Sequence, residues 1–107
     1  MPVVLVVEPQ CVDASKVLER LGGECICIPV AGPSSAAYAL NTLQCDVVIV
    51  PGDKVERWDY APLFSTMRLA APRARLVCAP PARQVQAGER LAPVHVQKEQ
   101  KHDPVWL

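Results

Sequence analysis

Apolar residues in this chain come in short continuous runs, separated by segments in which they recur every three or four positions. Val3-Val4-Leu5-Val6-Val7 is an unbroken apolar run, all but Leu5 β-branched, closed by Glu8-Pro9, the pattern of a central parallel strand covered on both faces. From Asp13, a predicted N-cap, Ala14, Val17, Leu18 and Leu21 return at helical spacing, and Gly22-Gly23 closes that helix. A second, thiol-rich strand is predicted over 24–30, ended by the turn Ala31-Gly32-Pro33, with Pro33 suited to the first position of a helix. That helix places Ala36, Ala37, Leu40 and Leu43 on one face and stops before Cys45.

Residues 46–50 form the third strand, and the run ends Val50-Pro51-Gly52. A loop over 51–58 leads to Asp59 as the expected N-cap of a helix with Leu63, Phe64, Met67 and Ala70 on its apolar face and Pro72 beyond its end. The fourth strand is Arg75–Ala79. After Pro80-Pro81 the pattern weakens. Residues 82–92 offer only Val85 and Leu91 as large apolar groups, with Gly88 between them, so a short exposed helix is expected there. Val94-His95-Val96 is a brief fifth strand, followed by a polar stretch and the ending Pro104-Val105-Trp106-Leu107. Strands alternating with helices predict an α/β fold with right-handed crossovers. The expected architecture is a doubly wound, five-stranded parallel sheet of order 2-1-3-4-5 with helices on both faces. Its crevice falls at the carboxyl ends of strands one and three, at Glu8-Pro9 and Pro51.

Length and composition narrow this further. With 107 residues, half of them hydrophobic, the chain buries one core, so a single domain over 1–107 is expected, with a core over 2–98 and a tail over 99–107. Basic and acidic residues balance at 11 each, which argues against nucleic acid or an anionic membrane as partner. The balance hides an asymmetry: residues 1–53 carry two bases against six acids, and residues 54–107 nine bases against five acids. Arg68, Arg73, Arg75, Arg83 and Arg90 are dispersed among prolines and read as a solvated surface.

Five cysteines without a CxxC pair argue against a disulfide framework and for a reducing, cytoplasmic setting. Cys25 and Cys27 flank Ile26 and so point the same way, an arrangement a metal could use. With only His95 and His102 as distant further ligands, buried thiols acting as small hydrophobes are the expectation, and no metal or cofactor is predicted. No run reaches the 18 or so apolar residues of a membrane span, and no signal peptide is evident.

Read in order, Leu5-Val6-Val7-Glu8-Pro9, Asp46 through Pro51, Leu76-Val77-Cys78-Ala79 and Val96-Gln97-Lys98-Glu99 resemble the four strand ends of the receiver domains of two-component response regulators. The resemblance covers about 98 residues in order and spacing, while few of the signature residues are present. Receivers end their first strand in two acids, their third in the phosphoacceptor aspartate, their fourth in a hydroxyl residue and their fifth in a lysine. Here Glu8 and Lys98 match, but Pro9 replaces a metal-binding acid, Pro51 replaces the acceptor, and Cys78 stands for the hydroxyl. Phosphoryl transfer to aspartate needs a carboxylate nucleophile and a divalent cation held by carboxylates. Proline supplies neither. Only nine residues follow Lys98, broken by Asp103-Pro104, so the fifth helix of a receiver is truncated or absent.

The resemblance therefore implies a degenerate receiver, not an enzyme, acting in signalling without aspartyl phosphate by binding another signalling protein or a second copy of itself. Its degenerate pocket would comprise Glu8, Pro9, Pro51, Asp53, Cys78 and Lys98, with Lys98 paired to Glu8 or Asp53. Candidate contact residues are Trp58 and Tyr60 in the loop, of which Trp58 is expected to pack over its own helix, then Val94 and Val96, and Val105, Trp106 and Leu107 in the tail. Two alternatives stand beside it: phosphorylation at a displaced acid such as Asp53, and a small flavodoxin-like enzyme or phosphocarrier using Cys11. The loop around Cys11 has no glycine or arginine to cradle phosphate, and no GxGxxG or GxxxxGK[ST] occurs.

Overall fold

The computed structural model describes residues 1–82 and, at the end of the chain, the backbone of Val105–Trp106. Four strands, β1 (Val3–Val7), β2 (Ile26–Val30), β3 (Val47–Pro51) and β4 (Arg75–Ala79), form a parallel sheet of order 2-1-3-4. Three helices connect them: α1 (Ser15–Arg20), α2 (Pro33–Thr42) and α3 (Ala61–Ala70).

Side chains alternate across each strand, so one valine-rich run serves two cores. Leu5 and Val7 of β1, with Val48 and Val50 of β3, pack against Ala36 and Leu40 of α2 and against Tyr60, Leu63 and Met67 at α3. Val4, Val6, Val47, Ile49, Val77 and Ala79 face the other way, onto Val12, Val17 and the α1 side. Both faces of β1 and β3 are thus covered, which is why these strands tolerate no polar position. Burying each such side chain contributes about 1.5–3 kcal/mol.

The helices are unequal. Gly22 and Gly23 both take left-handed φ, +83° and +82°, and turn the chain out of α1 after only six residues. Pro33 occupies the first turn of α2, as its spacing predicts, behind Gly32 as N-cap. Two expected caps differ. Ala14 caps α1, and the Asp13 carboxylate instead accepts from Ser15 N at 3.1 Å and Ser15 Oγ at 2.7 Å. Tyr60 caps α3, because Asp59 lies within a 3₁₀ turn, Trp58–Tyr60, and is held by Arg57 Nε at 3.1 Å.

β2 forms one edge of the sheet. Ile26 N donates to Pro2 O and Val30 O accepts from Glu8 N, so the even-numbered residues at both ends of β2 bond to β1. The missing N–H of Pro29 therefore falls on the open side, where a proline is tolerated in a strand. At the opposite edge Val105–Trp106 pairs antiparallel with β4, Trp106 opposite Val77 and Val105 opposite Cys78. The pairing beside β4 is thus antiparallel where a parallel fifth strand was expected. That strand, at Val94 and Val96, the helix predicted over 82–92 beyond its first residue, and Lys98 lie outside the described residues.

Candidate functional site

The carboxyl ends of β1 and β3 meet at one crevice, and the sequence closes it. Glu8 leaves β1 with φ 54° and ψ 65°, the only non-glycine residue in left-handed conformation among the described residues. Pro9 disfavours the right-handed helical region for the residue before it, and the left-handed alternative costs about 1–2 kcal/mol. The turn is held by Glu8 N donating to Val30 O at 2.9 Å and Cys11 N donating to Glu8 O at 2.8 Å. It carries the Glu8 carboxylate toward the loop after β3.

That loop starts at Pro51, a buried residue in register with Ala79. A Cβ on Gly52 would lie 3.2 Å from Ala79 O, so glycine lets the chain turn close against β4. The 3₁₀ turn Gly52–Lys54 then brings Lys54 back over β1. Lys54 Nζ donates to Glu8 Oε2 at 3.0 Å and approaches Cys11 Sγ at 3.5 Å. Tyr60, fully buried with its ring centroid 6.1 Å from that of Phe64, donates its hydroxyl to Glu8 Oε1. The Cys11 thiol lies 3.9 Å from Glu8 Oε2. One carboxylate is thereby shared by a phenol, an ammonium and a thiol. The adjoining strap is also tied down: Asp13 N donates to Pro80 O at 2.9 Å and Ala82 N to Cys11 O at 3.1 Å.

Each charge state follows from these contacts. The Tyr60 hydroxyl, and after it the Lys54 ammonium, hold Glu8 below its ordinary pKa of 4.5 against the opposing effect of burial. Burial, followed by the adjacent Glu8 carboxylate, pushes the Tyr60 phenol up. The hydrogen bond to Glu8 raises Lys54 above 10.5. A carboxylate lowered by folding adds stability above its unfolded pKa and loses it as pH falls through the folded value, so the Glu8 contribution is full above about pH 4.5 and is lost below it. Lys54 adds stability below 10.5 and loses it at more alkaline pH. Because the tyrosine contributes most, Tyr60→Phe is expected to raise the Glu8 titration midpoint more than Lys54→Met does. Carboxyl NMR titration of the two variants checks this, and a larger rise in Lys54→Met would contradict it.

The structure assembles the expected site only in part. Glu8 and Pro51 lie at the crevice, while Pro9 and Asp53 are exposed. Cys78 is half-buried on β4, its thiol pushed up by burial. Lys98, expected as the partner of Glu8 or Asp53, lies outside the described residues, and among those described Lys54 pairs with Glu8. Tyr60 is no surface contact: it is the largest fully buried side chain among the described residues. Trp58, expected to pack over its helix, is 84 % exposed. The side chains of Val94, Val96, Val105, Trp106 and Leu107 lie outside the described residues. Cys27, expected to be buried, is exposed on β2, and its sulfur lies 3.7 Å from that of Cys25.

Lys54 was not singled out from sequence, although its place three residues beyond the end of β3 is where a single turn brings a side chain back over a neighbouring strand. Among the described residues no three His, Cys, Asp or Glu side chains converge as metal ligands, and no helix is long and apolar enough to cross a membrane. No family model, curated protein or solved structure matches the chain.

Proposed function

We propose that this chain is a phosphorylation-independent, receiver-like signalling module that acts by binding another protein. The observation that carries the reading is the Glu8–Lys54–Tyr60 network. It fills the crevice at the ends of β1 and β3, where a receiver would hold a cation and a phosphoryl group, and buried Pro51 presents no carboxylate there. In this reading the sheet extends to the order 2-1-3-4-5, and a single domain spans 1–107 in the cytoplasm. The partner is another signalling protein or a second copy. Trp58, exposed two residues before Tyr60, is the contact residue best supported by its position.

Incubation with acetyl phosphate and magnesium is expected to leave the intact mass unchanged. A phosphoryl adduct, at Asp53 or elsewhere, would overturn the proposal. Mixed with the proteins encoded beside it, the chain is expected to form a complex without any phosphoryl donor, weakened at least about tenfold by Trp58→Ala. A complex that needs the donor would also refute it.

A second reading, a thiol enzyme, draws on one observation: Lys54 Nζ stands 3.5 Å from Cys11 Sγ. That ammonium is already engaged by the Glu8 carboxylate, which itself lies 3.9 Å from the thiol. The network is better built to stay closed than to attack a substrate.

A further inference from the structure

The thiols of Cys25 and Cys27 take no part in that network, and they lie on the opposite side of β1 from it. Their sulfurs are 3.7 Å apart. Alternation along the strand sends both to the α1 face of the sheet, where Cys25 packs against the edge of that core. Because Gly22-Gly23 ends α1 after six residues, the helix does not extend over the edge strand, and Cys27 stands exposed. The spacing is not left to a floppy loop: Ile26 N donates to Pro2 O at 2.8 Å, and Cys27 is in register with Val4. Two thiols are thus held side by side on a fixed backbone with one flank open to solvent.

We infer that Cys25 and Cys27 form a bidentate site for a thiophilic divalent cation of the zinc type. Metal–sulfur bonds of about 2.3 Å at the tetrahedral angle place two thiolate sulfurs about 3.8 Å apart, so the pair already spans one edge of such a coordination shell. Ligation forms two metal–sulfur bonds and releases the two thiol protons to solvent. No third His, Cys, Asp or Glu among the described residues joins the pair, which leaves the remaining positions to water or a small exogenous thiolate. An edge-to-edge second copy is disfavoured as their source, because Pro29 lacks the N–H needed on the open side of β2. The site is therefore an open one, suited to capture and exchange and not to a structural role.

Cadmium, whose thiolate complexes absorb in the ultraviolet, is the probe. Titration of the reduced full chain is expected to saturate near one equivalent, and zinc is expected to compete for the same site. Cys25→Ser and Cys27→Ser should each weaken binding at least about tenfold and reduce the charge-transfer band. Cys11→Ser, which removes a half-buried thiol remote from the pair, should change neither. Cys27 is exposed, so Cys27→Ser is expected to keep the wild-type melting temperature, which separates a lost ligand from a lost fold. Unchanged cadmium binding in Cys27→Ser, binding abolished by Cys11→Ser, or no uptake by the wild-type chain would each overturn the assignment.

Discussion

Tyr60→Ala is expected to lower the unfolding free energy by about 3–5 kcal/mol, against a total of about 5–15 kcal/mol for a domain of this kind. Tyr60 is fully buried and packs with Leu5, Val48, Leu63 and Met67 in the core beneath α2 and α3. Truncation leaves a cavity that the strands on one side and the helices on the other are not free to fill. Tyr60→Phe keeps the ring and removes only the hydroxyl. Its cost is expected near 1 kcal/mol, since Glu8 is partly exposed and water can replace the lost donor. Urea unfolding of the two variants measures both. A phenylalanine variant as unstable as the alanine one would show that the hydroxyl, and not the packing, carries the contribution.

Pro51→Asp, which restores the residue type of a receiver acceptor, is expected to cost at least about 3 kcal/mol at neutral pH. Pro51 is fully buried at the end of β3, and the cation of the loop that follows it, Lys54, is already engaged by Glu8. A carboxyl buried there has its folded-state pKa raised above the unfolded value of about 3.9. Its penalty is therefore absent in acid, grows as pH rises past the unfolded value, and levels off above the folded one. Denaturation midpoints from pH 3 to 8 should separate progressively from those of the wild type. A variant as stable as the wild type at neutral pH, and one that takes a phosphoryl group from acetyl phosphate, would show that the crevice opens readily and that the network is a latch.

How far the fold was legible depended on where its signals lay. Valine runs without alternation can be satisfied only by strands covered on both faces, and β1 and β3 are such strands. β4 was bracketed by Pro72 and Pro80, and α2 opened on a proline that can stand only in a first turn. The Glu8–Lys54 pair was not legible, because its members are 46 positions apart and nothing local marks a lysine in a turn as the partner of an acid on another strand. Trp58 and Tyr60 were legible in retrospect. Two residues apart in a helical turn they cannot face the same way, and Tyr60 stands three positions before Leu63 and seven before Met67, on the buried face. Size favours the tryptophan as the packed residue, but phase decides for the tyrosine. Asp59 misled for a related reason: a capping residue type beside a helix start says nothing of whether a basic neighbour, here Arg57, has already taken it.

Pro29 bears on how this chain survives partial opening. β1 and β3 are the kind of uncharged, β-branched segments that stack into cross-β assemblies when exposed. Both lie inside the sheet, and on the β2 side an incoming strand meets a residue that cannot donate to it. The intact edge is therefore a poor template for growth, and peeling of β2 from β1, which uncovers the β1 edge, is the opening that self-association from that side requires.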